Sequence, residues 1–94
     1  EIESSILGHM KFFSPNGDGI NDYWNVLGVS ENFQPKTRVY IYDRRGKLLK
    51  DLSPLSKGWD GTYNGLTLPQ DDYWFNVYFE NGKSYSGHFS LLRQ

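Results

Sequence analysis

The sequence predicts an all-β domain, a sandwich of six or seven short strands. Aromatic residues make up 17% of the chain and cluster with Val and Ile in short runs, which is typical of strands. Alanine, the strongest helix former, is absent. Segments rich in Gly, Asn and Asp separate the runs at the spacing expected of a β-sandwich. The 94 residues suffice for one domain and are too few for two.

Three strands are predicted in the first half of the chain, because side chains alternate in character along them. They are Tyr23–Val29, Thr37–Asp43 and Leu48–Leu52. Arg44–Lys47 contains a glycine available for positive φ and joins the last two as a hairpin. Trp24, Val26 and Gly28 are expected to share one face of the first strand, and Val39 and Ile41 one face of the second.

The second half contains the strongest strand, Tyr73–Glu80. Asn81-Gly82 is the preferred pair for a type I′ turn, and Ser84–Leu92 completes that hairpin. Before it, Trp59–Thr62 is predicted as a turn or short edge segment, and Leu66–Pro69 as brief and extended. The side chains expected on one face are Tyr73, Phe75, Val77, Phe79, Tyr85, Phe89 and Leu91.

Residues 1–10 are interpreted as an expression-tag remnant and residues 11–94 as the domain. Gly8-His9-Met10 is similar to a cloning junction, and no periodicity precedes it. We expect no signal peptide in this stretch, which is acidic and is followed by no apolar segment. The longest apolar run, around Tyr73–Phe79, is far shorter than the roughly 20 residues of a membrane-spanning helix.

Charge and residue content argue against several classes of function. The net charge is −1 with acids and bases interspersed, so no basic surface for nucleic acid or anionic lipid is expected. Cysteine is absent, which excludes disulfides and thiolate metal sites. Asp60 is expected in an Asx-turn, adjacent Asp71 and Asp72 in a solvated turn, and His88 on the surface. No nucleophile–base pair results, and the chain is not predicted to be an enzyme.

The loop that begins at Ser14 has the spacing of a calcium loop. Counted from Ser14 as position 1, oxygen-bearing groups fall at positions 3, 5, 7, 9 and 12, with a glycine at position 6. The candidate ligands are Ser14, Asn16, Asp18, the Ile20 carbonyl, Asp22 and Asn25. Only two are carboxylates, so calcium is a low-affinity candidate and no other cofactor is expected. The alternative is a structural turn, in which Asn and Asp side chains accept backbone N–H groups.

Four aromatic side chains lie opposite the predicted inward faces: Tyr40, Tyr42, Trp74 and Tyr78. A two-sheet sandwich cannot bury both faces of a sheet, and a contiguous exposed aromatic patch often marks a binding surface. We therefore predict a receptor-facing surface formed by these rings with Arg44, Arg45 and Lys47 of the hairpin. The alternatives are that the rings cover the sheet ends or that the two faces are reversed.

Four segments in order carry a resemblance to a known family: Phe12–Trp24, Val39–Gly46, Trp59–Tyr73 and Gly87–Arg93. The chain resembles the gliding-motility-associated C-terminal domain, the type B sorting domain of the type IX secretion system of Bacteroidetes. The residues that match its motifs are Pro15, Asn16, Gly17, Asp18, Gly19, Asn21, Asp22, Trp24, Arg44, Gly46, Trp59, Asp60, Gly61, Thr62, Gly65, Leu68, Pro69, Tyr73 and Gly87. Arg45 departs from a frequent aromatic and Asp71 from a usual glycine. Since Asp tolerates the left-handed region, the turn at Asp71 is expected to persist.

The resemblance implies an immunoglobulin-like β-sandwich of about seven short strands that directs a cargo across the outer membrane. It also implies a partner of the PorP/SprF type in that membrane, an adhesin or other surface protein as cargo, and a final location outside the cell or on its surface. The competing hypothesis is a carbohydrate-binding or adhesive β-sandwich, in which exposed rings stack on sugars. Self-association and cleavage after export are left open.

Overall fold

Nine strands and no helix make up the regular structure of the described residues, which confirms the all-β prediction. The computed structural model describes residues 8–17, 19, 22–27, 36–54, 56–79, 82 and 84–93. The strands are β1 (Gly8–His9), β2 (Phe12–Phe13), β3 (Val26–Leu27), β4 (Arg38–Tyr42), β5 (Leu48–Leu52), β6 (Thr62–Tyr63), β7 (Leu66–Thr67), β8 (Asp71–Tyr78) and β9 (Ser84–Leu91). Within this part of the chain no helix has the length and apolar character needed to cross a membrane.

The main sheet has five strands in the order β2-β9-β8-β4-β5. β2 runs parallel to β9, and the other neighbours are antiparallel. The four long strands lie within two residues of their predicted bounds, because alternation with a period of two is a strong local signal. Of the first predicted strand, only Val26–Leu27 is a strand, with Trp24 in an isolated bridge to Trp59. Gly28 and Val29 lie outside the described residues.

A second, less regular layer covers the inward face of this sheet. It consists of the two-stranded pairs β1–β3 and β6–β7 and of the bridged tryptophans. The Trp24 ring stacks on Phe89 with centroids 4.1 Å apart, and Trp59 meets Tyr73 edge-on at 5.4 Å. The buried apolar side chains are Phe13, Trp24, Val26, Val39, Ile41, Leu49, Leu52, Trp59, Tyr73, Phe75, Val77, Phe89 and Leu91. This packing is consistent with the predicted immunoglobulin-like β-sandwich.

The prediction of a turn at Asp71 and Asp72 is wrong. Both residues lie in β8, where they pair with Leu91 and Ser90 of β9. Asp71 therefore needs no positive φ: its backbone is that of an ordinary strand residue. The two carboxylates have separate partners, since Asp72 accepts a hydrogen bond from the Ser90 hydroxyl at 2.7 Å while Asp71 pairs with Arg44.

The β6–β7 hairpin was not predicted as a pair. Its turn is Asn64-Gly65, with φ of 52° and 80°, as a type I′ turn requires. The same dipeptide signal predicted the turn before β9, where Asn81 lies outside the described residues. There Gly82 has φ of 90° and donates its N–H to the Phe79 carbonyl at 3.1 Å.

Residues 8–10 pack against the domain. The Met10 carbonyl accepts a hydrogen bond from the buried Trp24 indole at 2.7 Å. His9 lies 4.8 Å from the Phe75 ring centroid, with its Nδ1 2.9 Å from the Tyr85 hydroxyl and its Nε2 3.1 Å from the His88 carbonyl. The domain boundary after Met10 stays a prediction, and these contacts provide a test of it.

We expect a chain that begins at Lys11 to be less stable than one that begins at Gly8. Removing Met10 leaves the indole N–H of a fully buried tryptophan without its acceptor, which costs about 1–3 kcal/mol. Urea unfolding of the two chains, followed by tryptophan fluorescence, measures the difference. Equal free energies of unfolding would establish that residues 8–10 are dispensable and would support the boundary after Met10.

Stability should also depend on the protonation of His9. Burial lowers the pKa of His9 from its ordinary value of 6.5, opposed by the hydrogen bond to the His88 carbonyl and assisted by nearby Lys11 and the His88 ring. The unfolded chain therefore binds this proton more readily, so the free energy of unfolding falls as pH drops from 6.5 towards the lower pKa of the folded state. Above pH 6.5 the contribution of His9 to the free energy of unfolding is constant.

Thermal unfolding between pH 5 and 8 measures this dependence. His9→Gln should flatten the slope below pH 6.5, whereas His88→Gln keeps the backbone carbonyl and should retain it. Parallel profiles for the parent and His9→Gln would contradict the assignment.

Candidate recognition surface

The outward face of the five-stranded sheet carries the aromatic side chains that the sequence singled out. β4 pairs with β8 so that Tyr42 lies beside Trp74 and Tyr40 lies beside Asn76. All four side chains are on the same face of the sheet. β9 continues this face, since His88 pairs with Trp74. We call this surface the outer aromatic face and define it as Tyr40, Tyr42, Trp74, Asn76, Tyr78, Ser84, Ser86 and His88.

Two ring contacts organise this face. Tyr40 and Tyr78 meet edge-on with centroids 5.6 Å apart, and Trp74 lies 6.2 Å from the His88 ring. Trp74 is 38% exposed and Tyr78 is 48% exposed, while Tyr40 and Tyr42 are half-buried. The rings thus support one another and still present aromatic area to solvent.

The two faces of the sheet are assigned as the sequence predicted. Val39, Ile41, Phe75 and Val77 are buried beneath the second layer, and the rings lie on the opposite side. The alternative of reversed faces is therefore excluded. The role of the rings in receptor contact stays a prediction.

The β4–β5 turn extends from the Tyr42 end of the outer aromatic face. The Asp43 carboxylate accepts the backbone N–H groups of Lys47 at 2.9 Å and Arg45 at 2.8 Å, which lowers its pKa. Gly46 has φ of 86° and donates its N–H to the Asp43 carbonyl. One carboxylate oxygen, Oδ1, accepts both hydrogen bonds and so shapes the turn, a role that sequence reasoning missed although Asp before a glycine-containing turn is a known signal.

The three basic side chains of this turn have different surroundings. Arg44 forms an ion pair with Asp71, a hydrogen bond that raises the pKa of Arg44 and lowers that of Asp71. The Lys47 ammonium lies 4.4 Å from the Tyr63 ring centroid, over the β6–β7 hairpin. Arg45 is exposed. Arg44 and Lys47 are thus directed at the domain itself.

The Ser14–Asp22 loop is organised by one carboxylate. Asp22 accepts backbone N–H groups from Asn16 at 3.2 Å, Gly17 at 3.0 Å and Gly19 at 2.8 Å, using both of its oxygens. The glycines have φ of 80° and 83°. Asp18, Ile20 and Asn21 lie outside the described residues. The described part of the loop has the geometry of the structural turn.

Asn25, the candidate for position 12 of a calcium loop, has its side chain engaged with other parts of the domain. The Asn25 side chain donates to the carbonyls of Pro54 and Ser56 at 3.2 and 3.0 Å, and its oxygen accepts the Val26 N–H. Asn25 thus joins two loops of the domain, and its place as position 12 of a calcium loop stays a prediction. Across the described ranges, no three His, Asp or Glu side chains are grouped as metal ligands.

The isolated carboxylate and histidine have structural surroundings. Asp60 accepts the N–H of Thr62 at 3.2 Å and its hydroxyl at 2.7 Å, which confirms the expected Asx-turn. His88 is exposed beside Trp74, as predicted for a surface residue. No nucleophile–base arrangement involves either side chain.

Arg93 is a further structural residue that sequence reasoning did not identify. Its guanidinium donates to the Leu68 carbonyl at 2.7 and 3.0 Å and to the Gly61 carbonyl at 3.4 Å. These contacts tie the end of β9 to the β6–β7 hairpin. No local pattern indicates them, because the acceptors lie 25 and 32 residues away.

The domain is a small β-sandwich in which the polar loop residues shape turns and the exposed rings gather on one sheet face. These features are typical of a recognition module. The chain matches the family model of the CHU_C type IX secretion signal domain over residues 7–91, and it belongs to that family. No match to a curated protein was found. The domain is therefore a sorting signal, not a member of a catalytic family. It is engaged by the type IX machinery, and its cargo is exported to the cell surface or beyond.

We expect Asp22 to stabilise the fold without calcium. Asp22→Ala removes an acceptor of three N–H groups and should lower the free energy of unfolding by about 0.5–2 kcal/mol, as loss of a capping side chain does. Asp22→Asn, which keeps one acceptor oxygen, should lose less. Since both carboxylate oxygens are already occupied, millimolar calcium should leave the melting temperature of the parent unchanged. A calcium-dependent rise in the parent that disappears in Asp22→Ala would instead establish the metal site.

Proposed function

We propose that this domain is the folded address by which the type IX machinery selects one cell-surface or secreted cargo. The outer aromatic face and the β4–β5 turn contact an outer-membrane protein of the PorP/SprF type. The cargo is an adhesin of a gliding bacterium of the Bacteroidetes, an assignment that rests on the resemblance of the motifs. The single observation that carries the proposed surface is the exposure of Trp74 and Tyr78 on a sheet face whose reverse side is buried.

Physical chemistry favours this face over the other surfaces of the domain. Tyr and Trp rings supply large contact area with few rotatable bonds, and their polar tips find hydrogen-bond partners at an interface. The face is also built from β4, β8 and β9, so it exists only when the chain is folded. A receptor that contacts it selects folded domains.

Binding of a neutral glycan is the second candidate function. The observation in its favour is the same exposed Trp74 ring, which has Asn76 and the Ser86 hydroxyl nearby on adjoining positions of β8 and β9. A ring flanked by amide and hydroxyl groups suits the apolar face and the hydroxyl edge of a sugar.

A secretion assay tests the proposed function. The full chain is fused to the C-terminus of a fluorescent reporter that carries an inner-membrane export signal. The fusion is expressed with the outer-membrane partner in a type IX-competent bacterium and in a translocon-deficient strain. We expect the reporter outside the cell, or on its surface, only in the competent strain. Periplasmic retention of a folded fusion in both strains would contradict the proposal, and sugar binding by the same fusion would favour the glycan-binding function.

The surface assignment is tested by Tyr40→Ala combined with Trp74→Ala. Neither ring is buried, so the variant should remain folded while its export decreases at least tenfold. Retained near-ultraviolet circular dichroism serves as the folding control. Unchanged export by the folded double variant would place the receptor surface elsewhere on the domain.

A further inference from the structure

The outward side of the main sheet carries most of the large exposed apolar side chains of the described residues. The large apolar side chains with substantial exposure are Phe12, Tyr23, Leu48, Leu66, Trp74, Tyr78 and Leu92. Five of these seven belong to this side of the sheet. Only Tyr23 and Leu66 lie elsewhere.

Strand register places the additional members. Leu48 pairs with Tyr42 of β4 and therefore shares its face. Phe12 pairs with Ser90, whose hydroxyl bonds to Asp72 on the outward side of β8. Leu92 directly follows buried Leu91, and its N–H donates to the Phe13 carbonyl at 2.9 Å, so the alternation of the strand continues through it. The apolar area thus spans the sheet from edge to edge.

The centre of this side carries no formal charge from Lys, Arg, Asp or Glu. All eight residues of the outer aromatic face are aromatic, hydroxyl, amide or imidazole side chains. Three charged residues border this face in the neighbouring rows, namely Arg38, Asp51 and Asp72, and each has a hydrogen-bond partner. Arg38 donates to Asp51 at 2.6 and 2.9 Å, and Asp72 accepts from Ser90.

We propose that the occupant of this face is an uncharged protein surface of the type IX outer-membrane partner, apolar and hydroxyl-bearing, and that contact extends from Phe12 to Leu48. This inference rests on the proposed function and names the chemistry of its partner. An anionic partner surface would be desolvated against rings that offer it no counter-ion, which is costly, and a cationic one would have only ring faces in place of its hydration. An uncharged partner surface has no comparable desolvation cost and gains stabilisation from apolar burial. Contact through this face is then insensitive to ionic strength, and any salt dependence of binding comes from the exposed cations of the β4–β5 turn.

Two exposed leucines provide a matched test. Leu48 is 46% exposed on the proposed interface, and Leu66 is 69% exposed on the β6–β7 hairpin outside it. Leu48→Lys places an uncompensated charge in the interface, whereas Leu66→Lys adds the same charge elsewhere. In the secretion assay we expect Leu48→Lys to reduce exported reporter at least tenfold and Leu66→Lys to stay within twofold of the parent. Leu48→Met, which keeps an apolar side chain at this position, should be exported like the parent.

The outcomes separate the two proposals. Thermal melting of the purified variants verifies that both lysine substitutions leave the domain folded. If the parent fusion is not exported, the proposed function fails and this inference with it. If the parent is exported and both lysine variants behave alike, the function stands and the inference is overturned.

Binding to vesicles that contain the outer-membrane partner gives an independent measurement. The affinity of Arg45→Gln, which removes an exposed cation of the neighbouring β4–β5 turn, should change less than twofold between 50 and 500 mM salt. A steep salt dependence would overturn the uncharged character of the interface. Binding of cellohexaose by the parent, lost in Leu48→Lys, would overturn a protein surface as the occupant and assign the face to a neutral glycan.

Discussion

The fold depends on a reciprocal backbone bridge between Trp24 and Trp59. Each residue donates its N–H to the carbonyl of the other at 2.9 Å, and this holds both indoles against the inward face of the sheet. Their ring N–H groups are satisfied by the carbonyls of Met10 and Thr62. Large rings bury roughly 150–250 Å² each, so two of them replace a regular second sheet over much of the core. The bridge also requires a glycine at Gly58, because a Cβ there would lie 2.6 Å from the Trp24 carbonyl oxygen.

The residues that identify the family and those proposed to contact the receptor are almost entirely separate. Trp24, Trp59, Asp60 and Tyr73 belong to the core or to its turns, and the Tyr73 hydroxyl donates to the Pro69 carbonyl at 2.8 Å. Family membership follows from this scaffold. The outer aromatic face lies on the opposite side of the same strands, so the motifs constrain it only through the positions of the strands.

The sequence predicts the elements whose signal is local. Alternation in β8 and β9 identified the strands and their buried faces, and the Asx-turn at Asp60 followed from neighbouring residues. Long-range features were not predictable: the parallel pairing of β2 with β9, the Arg93 contacts, and the pairing of Asp71 with Leu91 that makes Asp71 a strand residue. The Asp22 loop was ambiguous for a different reason. Carboxylate oxygens attract cations and N–H groups alike. Only the structure shows that backbone N–H groups occupy the two oxygens of Asp22.

The alternation that builds the core also explains why a folded domain serves as a sorting signal. In β8, Trp74 lies between Tyr73 and Phe75, so in an unfolded chain the ring proposed for recognition is mixed with rings of the core. Pleating sends the two sets to opposite sides, and pairing with β4 and β9 brings Tyr42 and His88 beside Trp74. The proposed recognition surface and the hydrophobic core are thus formed by the same event. A receptor specific for this arrangement requires no separate mechanism to reject unfolded cargo signals, because those chains lack the surface.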